Sequence, residues 1–283
     1  GTVFSNGGAL LLLKPAAAAQ RDGDPTYAII KGSASGNDGR KKLSYTAPSE
    51  EGQYETISSA YHATGINPAT VSFVEAHGTG TLLGDPIEVA SLTRVFSDSP
   101  KGSCLLSSVK GNIGHTDSAA GAVGLSKAAL SLKHRMLPGT VNFQNPNPHI
   151  DFKATPFEVT AEARPLEGDL IRAGINSFGV GGTNVHMILE EAPDIPQPKD
   201  PDHVLFQFSG VTSEAMSRTA ERFIRHVAAD SSVSLADAAV TLRSRTELPY
   251  RSTLVIAADE IRDADTWMGK PHHTDRTASQ KPP

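Results

Sequence analysis

Two stretches of this sequence follow the same plan, an apolar strand, a glycine-rich corner that contains a histidine, and then a helix. In the first, the apolar run Thr70–Ala76 leads into HGTGT at 77–81 and a helix that opens with GDPIE. In the second, Cys104–Val109 leads into KGNIGH at 110–115 and an alanine-rich helix over Asp117–His134. Continuous apolar runs between helices are typical of strands covered on both faces. The repeat therefore predicts a mixed, mainly parallel sheet with helices on its faces.

The helix after HGTGT has an apparent start signal of its own. Asp85 can cap the helix, Pro86 suits the first helical position, and Glu88 stands three residues after the cap. Such a spacing of a capping residue and a glutamate indicates a capping box. We therefore predict that this helix begins at Asp85 and that Glu88 bonds back to the cap.

Further strand and helix signals extend the alternating order over the first 190 residues. A helix is predicted over Glu50–Thr64, ending before Gly65. The remaining predicted strands are Ala9–Lys14, Tyr27–Gly32, Leu137–Phe143, Arg172–Phe178 and Asn184–Glu190. Together they predict an α/β fold.

A change in composition divides the chain. The stretch EAPDIPQPKDPDH at 191–203 is rich in proline and acidic residues, which is typical of a stiff, exposed linker. Beyond it we predict a small α/β module in which strands flank two helices; its strands are Val204–Phe208 and Ser252–Ala257 and its helices are 213–229 and 235–245. The predicted domains are 1–192, a connector 193–203, the module 204–268 and a disordered tail 269–283.

Composition excludes several functional classes. A net charge of −5 gives no electrostatic footprint for nucleic acid, and the longest apolar run, GGALLLLK, is too short to span a membrane. The single cysteine excludes an internal disulfide framework and predicts a reducing, cytoplasmic location. Because the chain begins Gly1-Thr2-Val3 without methionine, we expect its natural N-terminus to lie upstream.

Three glycine-rich stretches follow strands and carry the candidate chemistry. They are HGTGT, KGNIGH and NSFGVGGTN at 176–184. In open α/β sheets, ligands bind at the carboxyl ends of the strands. Since neighbouring strands lie about 5 Å apart, His77 and His115 are expected at the same sheet edge, where one carbonyl group could reach both rings.

The position of His115 also predicts its protonation state. It precedes a helix N-terminus, whose positive end disfavours a charged imidazole. A neutral ring that donates a hydrogen bond to a developing enolate oxygen is therefore the expected arrangement. Thr79 and Thr81 offer hydroxyl groups along the same channel.

Other reactive side chains receive less specific interpretations. Cys104 opens an apolar strand and is predicted to be buried, and His186 is predicted to be a satisfied core residue. Lys110 is either a catalytic ammonium group or an interior lysine paired with an acidic residue. No metal site is predicted. Surface or loop positions are expected for the remaining histidines, His62, His134, His149, His203, His226, His272 and His273.

Taken together and in this order, HGTGT with GDPIE, SVKGNIGH with its alanine-rich helix, and NSFGVGGTN resemble the β-ketoacyl synthase (ketosynthase) domain of modular type I polyketide synthases. The resemblance covers Gly1–Ala192, including GDPTYAIIKGSASGNDG and PGTVNFQNPNP. Residues 204–265 are similar to the linker that follows ketosynthases and leads to an acyltransferase. TAPSEEGQ and GHTDSAAG resemble ketosynthases of hybrid peptide–polyketide assembly lines.

The resemblance implies a thiolase-type fold, here its C-terminal half with the last strands of the N-terminal half, followed by the small α/β module. It also implies decarboxylative Claisen condensation of an acyl thioester with a malonyl-type extender on an acyl carrier protein. His77 and His115 would stabilise the enolate and Lys110 would support the site. The residues implied to bind substrate or the carrier's phosphopantetheine arm are Thr79, Thr81, Asn112, Phe178, Val180 and Gly181.

One family feature has no counterpart in this sequence. The nucleophilic cysteine of ketosynthases lies upstream at a helix N-terminus, and no stretch here matches it. Cys104 is no substitute, because roughly 20 Å of strand separates it from the His115 corner. We therefore expect a partner segment with the missing N-terminal half, in the same or a separate chain, and by resemblance a homodimer of the complete domain.

Three other interpretations stay open at this level. A non-elongating or cyclising ketosynthase could keep both histidines, and a non-catalytic scaffold fragment would fit a chain without a nucleophile. A thiolase that uses coenzyme A is disfavoured, because NSFGVGGTN contains no second cysteine.

Overall fold

The computed structural model describes residues 1–42, 44–193, 202–257, 260 and 273–276. The chain forms two compact units, Gly1–Pro193 and Asp194–Pro283. The predicted connector falls almost entirely on residues 194–201, which lie outside the described residues.

The first unit is built around a six-stranded mixed sheet with the strand order β1-β8-β7-β2-β3-β5. β2, β3, β5 and β7 run parallel, whereas β7–β8 and β8–β1 are antiparallel pairs. The mixed sheet predicted from the sequence is thus confirmed. In chain order the elements are α1 (Ala16–Asp22), β1 (Ala28–Asn37), α2 (Glu50–Thr64), β2 (Phe73–Glu75), α3 (Gly84–Val95), β3 (Cys104–Ser107), the helical turn α4 (Lys110–Ile113), α5 (Ala120–His134), β4 (Met136–Leu137), β5 (Phe157–Val159), β6 (Arg164–Pro165), β7 (Arg172–Phe178) and β8 (Thr183–Glu191).

Both faces of the sheet are covered, which explains the continuous apolar runs. Successive residues of a strand point to opposite faces. Val74 therefore belongs to a core cluster with α2 and α3, and Phe73 belongs to a second cluster with α5. Since β2 pairs with both β3 and β7, it is the strand from which the site is built.

Helix α2 has the predicted bounds, but the predicted start of α3 is wrong. Helix α3 begins at Gly84, so that Asp85 lies inside its first turn and accepts a hydrogen bond from the Gly80 amide at 3.1 Å. Glu88 does not bond back to a cap; its carboxylate is buried and bonds elsewhere. The capping box fails because the preceding loop folds back over the helix start and engages Asp85 itself.

The predicted strands Thr70–Ala76 and Cys104–Val109 are shorter in the structure, as Phe73–Glu75 and Cys104–Ser107, and three other predicted strands differ more. Ala9–Lys14 is not a strand, and Leu10 and Leu12 are almost fully exposed, because the described chain provides no neighbouring strand for this segment. β1 extends to Asn37 and is a half-exposed edge strand paired with β8. Of Leu137–Phe143 only the first residue is in a strand; the rest forms a loop.

The second unit is a small α/β module with a three-stranded antiparallel sheet in the order β11-β10-β9. Its elements are β9 (His203–Gly210), α6 (Ser213–Ala229), α7 (Leu235–Arg243), β10 (Tyr250–Ala257) and β11 (His273–Arg276). The two predicted helices and two predicted strands are confirmed. β11 differs from the disorder predicted for 269–283, whose other residues lie outside the described part of the chain.

In the part of the chain that the structure describes, no helix has the length and apolar character needed to cross a membrane.

Candidate active site

The two histidines of the repeated corners lie against each other at one edge of the sheet. β2 and β3 are parallel neighbours in which Glu75 pairs with Ser107, so their following corners emerge side by side. The ring centroids of His77 and His115 are 5.5 Å apart, with the ring planes at 82°. The proximity expected from the sequence is confirmed.

Backbone amides determine the tautomer of both rings. The amide of Phe178 donates to His77 Nδ1 at 3.3 Å, and the amide of Asp117 donates to His115 Nδ1 at 3.1 Å. Asp117 reaches this position with a φ of 49°, a left-handed conformation that is uncommon outside glycine. A neutral imidazole whose Nδ1 accepts a bond carries its proton on Nε2. Each ring therefore offers an Nε2–H donor on its opposite edge.

Both rings are kept neutral. Burial first, and then the charge of Lys110 and the repulsion that a proton on His115 would exert, lower the pKa of His77 to about 3. The pKa of His115 is also lowered, by burial and by Lys110, against the opposing carboxylate of Asp117. The direction agrees with the expectation for His115, although burial and a nearby ammonium group are the causes that the structure provides.

Lys110 supplies a positive charge without forming a direct ion pair. It opens α4, is half-buried, and its pKa is lowered by burial against the attraction of Glu88, Glu75 and Asp85. Among the described residues its ammonium group contacts no carboxylate within ion-pair distance. This arrangement favours the site-charge interpretation over that of a paired interior lysine.

The buried carboxylate of Glu88 holds the His77 corner. Its two oxygens accept hydrogen bonds from the amides of His77 at 2.8 Å and Gly78 at 2.9 Å. Asn176 Nδ2 donates to the same carboxylate at 2.8 Å. Burial raises the pKa of Glu88, while the bonds from Gly78, Asn176 and His77 oppose that rise. This role of Glu88 was not predicted from the sequence, because its spacing from Asp85 fitted a capping box.

A second buried carboxylate, Glu75, holds the next corner. It forms an ion pair with Lys127 of α5 at 2.7 Å, and its Oε1 accepts the amide of Val109 at 2.6 Å, immediately before Lys110. Burial raises the pKa of Glu75, and Lys127 opposes that rise. A charged residue within a buried apolar strand is rare unless it is paired, so Glu75 was a signal that sequence reasoning could have used.

The N-terminal segment Val3–Ser5 positions His115 from the other side. The His115 amide donates to Val3 O at 2.7 Å, and the Ser5 amide donates to His115 O at 3.0 Å. The ring of Phe4 stacks on His115 with centroids 5.7 Å apart. Gly114 permits this approach, since its φ is +78° and an added Cβ would lie 2.9 Å from Ser5 Cβ.

Two cavities meet at this histidine pair. The first, of about 710 Å³, is lined by Lys110 and by residues of the loop 140–148. The second, of about 670 Å³, is lined by His77, Thr81 and the corner between β7 and β8. Thr79 and His115 line both cavities. A chain-like ligand could therefore pass the histidines from one cavity to the other.

The structure brings most of the predicted binding residues to these cavities. The ring of Phe178 lies 5.7 Å from that of His77. Val180 is exposed at the rim of the second cavity, and Lys42 Nζ donates to its carbonyl at 2.6 Å. Gly181 is exposed beside it in the same turn. Asn112 is exposed on α4 and lines neither cavity.

The other reactive side chains lie largely where the sequence predicted. Cys104 is buried and burial raises the pKa of its thiol, so the prediction of a buried strand residue is confirmed. His186 is buried as predicted, but it is not fully satisfied: within the described structure, its Nε2 has no hydrogen-bond partner. Five other histidines are exposed as predicted, namely His62, His134, His149, His203 and His226. His272 and the side chain of His273 lie outside the described residues.

Among the described residues, no group of three or more His, Cys, Asp or Glu side chains could hold a metal ion.

Two family models match adjoining parts of the chain. The model of the "Beta-ketoacyl synthase, C-terminal domain" matches residues 27–144. The model of the "Ketoacyl-synthetase C-terminal extension" matches residues 146–255. Their order is that of a ketosynthase C-terminal part followed by its extension.

Similar proteins are polyketide synthases. A phenolphthiocerol/phthiocerol polyketide synthase of Mycobacterium tuberculosis is 43% identical over 96% of this chain, which spans 19% of that protein. Erythronolide synthase EryA3 of Saccharopolyspora erythraea is 38% identical over 99% of this chain, which spans 9% of it. The chain thus covers only a small part of the curated relatives it matches.

Solved structures with the same fold are ketosynthases. The ketosynthase from module 6 of the bacillaene synthase of Bacillus subtilis matches with a TM-score of 0.70 and 36% identity, over 90% of this chain and 46% of that structure. The oxazolomycin ketosynthase domain OzmH KS7 of Streptomyces albus matches with a TM-score of 0.71 and 30% identity, over 94% of this chain and 47% of that structure. The fold is therefore the α/β thiolase fold of ketosynthases, and this chain spans about half of it.

Matched family models, related sequences and shared fold all agree with the motifs in the two corners. The chain belongs to the β-ketoacyl synthase family, as the C-terminal ketosynthase part and extension found in modular polyketide synthases.

Proposed function

We propose that this chain provides the enolate-stabilising half of a ketosynthase that catalyses decarboxylative Claisen condensation. The observation that supports this most directly is the pair of neutral imidazoles, His77 and His115, with their rings 5.5 Å apart. Each ring accepts a hydrogen bond from a backbone amide at Nδ1 and therefore presents an Nε2–H donor. Two such donors suit one oxygen on which negative charge develops.

The reaction follows from this geometry. The bond between the carboxylate and the α-carbon of a malonyl thioester breaks, and carbon dioxide leaves. The bonding electrons move onto the thioester as an enolate, whose oxygen accepts hydrogen bonds from both Nε2–H groups. The α-carbon then attacks an acyl thioester on the nucleophilic cysteine, and the tetrahedral intermediate expels the cysteine thiolate. That cysteine belongs to a ketosynthase segment outside this sequence.

Burial and the charge of Lys110 keep the two rings in the state that this reaction needs. Burial lowers the pKa of both histidines, and the positive charge of Lys110 lowers it further, so that the rings stay neutral rather than becoming imidazolium ions. Protonation of either ring would occupy Nδ1 with a proton and break the bond from the backbone amide that orients it.

The substrate contacts follow the two cavities. We assign the phosphopantetheine arm of a carrier-bound substrate to the passage at Thr79 and Thr81, whose side chains border the second cavity. Val180 lies at the rim of the second cavity, where an oxyanion could meet backbone amides, and Phe178 borders His77. Gly181 is assigned with Val180 because it follows Val180 in the same exposed turn. Asn112 is the least supported of the assigned residues, since it lies away from both cavities.

The partners follow from the same proposal. The complete enzyme needs the N-terminal ketosynthase half with its cysteine and an acyl carrier protein, and the whole domain forms a homodimer as ketosynthases of polyketide synthases do. An acyltransferase adjacent to the second unit and a cytoplasmic location belong to the same proposal.

The test is to restore the complete domain. The chain would be produced together with the ketosynthase segment that precedes it, and release of labelled carbon dioxide from malonyl carrier protein would be measured. We expect His77→Ala and His115→Ala, which leave no donor at the place of Nε2, each to lower this rate about 100- to 1,000-fold, the usual cost of losing one oxyanion donor. His62→Ala is the matched control, because His62 is exposed near the C-terminal end of α2 and lines neither cavity.

Two results would contradict the proposal. One is a restored domain that never gains the mass of an acyl group from an acyl thioester. The other is carbon dioxide release that is unchanged in both histidine variants, which would remove the enolate role from this pair.

A further inference from the structure

A polar pair lies inside the sheet behind the His77 corner. Asn176 of β7 and His186 of β8 are cross-strand neighbours in the antiparallel pairing, and both are buried. Their side chains are joined by a hydrogen bond of 2.6 Å between Asn176 Oδ1 and His186 Nδ1. Burial of a polar pair at the centre of a sheet costs free energy unless each group is hydrogen-bonded. The hydrogen bonds of this pair therefore indicate which part of the structure it positions.

The hydrogen bonds around the pair have only one consistent direction. A carboxylate only accepts, so the Asn176 amide must present Nδ2 to Glu88 and Oδ1 to His186. His186 must then donate from Nδ1, because Oδ1 only accepts. The bonds therefore run from His186 through Asn176 to Glu88, which in turn holds the amides of His77 and Gly78. Bonds aligned in this way polarise and strengthen one another.

The Nε2 edge of the His186 ring is as tightly packed as the Nδ1 edge that faces Asn176. Within the described structure, His186 Nε2 and Tyr61 Oη are buried without hydrogen-bond partners, and the two rings lie 5.2 Å apart. A Cβ on Gly174 would lie 3.0 Å from His186 Cε1 and 3.3 Å from Tyr61 Oη. The His186 ring is thus held in place by packing, so its Nδ1–H is aimed at Asn176 by the core itself.

We propose that His186 is a positioning residue for His77: its Nδ1–H fixes the Asn176 amide, which fixes the Glu88 carboxylate that holds the His77 corner. The positioning stands on contacts within this chain, and only its consequence for the reaction rests on the proposed function. The pKa of His186 is lowered by burial to about 3, which agrees with a neutral ring that donates from one nitrogen.

The first test uses amide hydrogen exchange in the chain as it stands. In His186→Gln the new amide reaches the place of Nε2 and leaves Asn176 Oδ1 without its donor. We expect exchange at the His77 and Gly78 amides to become about tenfold faster than at Val74 of β2. In His186→Asn the side-chain nitrogen takes the place of Nδ1, and we expect exchange close to that of the unmodified chain.

Ile188→Val is the matched control, because Ile188 is fully buried in β8 and forms no side-chain hydrogen bond. It should change exchange at His77, Gly78 and Val74 to the same extent. The proposal is overturned if His186→Gln also changes all three equally, or if His186→Asn is no better than His186→Gln at slowing exchange of the His77 and Gly78 amides.

The second test uses the restored domain. We expect His186→Gln to lower kcat for carbon dioxide release about tenfold with KM unchanged, and His186→Asn to recover most of it. If the unmodified domain releases no carbon dioxide, the proposed function fails, while the exchange experiment still decides whether His186 positions His77. If the domain is active and kcat is the same in both variants, the consequence assigned to His186 is wrong.

Discussion

The two histidine corners reach the same sheet edge but are held by different means. The His77 corner is fixed from inside, where a buried carboxylate, Glu88, binds two successive backbone amides. In the second corner the buried carboxylate of Glu75 holds only the start, at the Val109 amide. His115 itself is fixed from outside, by backbone bonds to Val3 and Ser5 and by the exposed ring of Phe4. Equal positions in a repeat therefore do not imply equal rigidity.

The difference shows where each histidine depends on the rest of the molecule. A buried carboxylate that satisfies three donors cannot be removed without leaving them unpaired, so the His77 corner is tied to the core. The segment Val3–Ser5 precedes an apolar stretch at 9–14 that is exposed in this chain. The His115 corner therefore depends on a segment that itself has few contacts.

The largest effect is expected from Glu88→Gln. One acceptor oxygen becomes a donor that faces other buried donors, and the free energy of unfolding should fall by about 3 kcal/mol. Urea unfolding would measure this loss of free energy, and amide exchange in β2 and β7 would show where the structure is weakened. The control is Glu158→Gln, since Glu158 forms an exposed pair with Arg164 whose loss should cost less than about 1 kcal/mol. Equal losses of unfolding free energy in the two variants would show that the Glu88 carboxylate does not tie the His77 corner to the core.

The second largest expected effect is a loss of stability on acidification, to which His77 should contribute more than His115. The folded-state pKa of His77, about 3, lies below the ordinary value near 6.5, so the unfolded chain takes up the proton first. The contribution of the neutral His77 ring to the free energy of unfolding is therefore fully present above about pH 6.5 and is lost as the pH falls towards 3. Between pH 7 and 5 the expected loss is about 2 kcal/mol.

The measurement is urea unfolding of the unmodified chain and of His77→Gln at both pH values. The variant should lose less stability on acidification than the unmodified chain does. His115→Gln should have a smaller influence, because the Asp117 carboxylate opposes the lowering of the His115 pKa. An identical pH dependence in the unmodified chain and in His77→Gln would contradict this prediction.

Gly114→Ala should weaken the contacts that hold the His115 corner. The residue would be strained at a φ of +78° and would press on Ser5 and on Val3 O, so we expect a loss of about 1–2 kcal/mol. Gly39→Ala is the matched control, because Gly39 also has a positive φ, +55°, but has open space around an added Cβ. Thermal unfolding of both variants would test this, and a loss no larger in Gly114→Ala would show that the contact with Val3–Ser5 contributes nothing.

The smallest effect is expected from Ser5→Pro, which removes the amide that donates to His115 O. The expected loss is about 1 kcal/mol, with faster exchange at the His115 amide and no change at the His77 amide. Ser5→Ala keeps the backbone donor and serves as the control. Faster exchange at both histidines would mean that the two corners are one unit.

Local patterns in the sequence were sufficient for most of the elements. The predicted bounds of helix α2 are the observed ones, because the signals that end a helix act within a few residues: Gly65 stops it in a left-handed conformation and, in the structure, the Ser49 side chain caps its start. The strand Ala9–Lys14 was predicted wrongly for the opposite reason: an apolar run becomes a strand only where a neighbouring strand accepts its hydrogen bonds. The site followed the same division, since His77 and His115 stand in visible motifs while Glu88, Glu75 and His186 act through distant contacts.

What the sequence determined by itself is the pair of strand–corner–helix units and the glycines that let each corner turn. These are short-range properties of the backbone, and they also placed the two histidines at one sheet edge. Only the tertiary structure decided which groups hold those histidines. Glu88 became a buried anchor rather than a cap, and Asp117 turned its amide towards His115, because a buried donor or acceptor must find a partner and that partner comes from elsewhere in the chain.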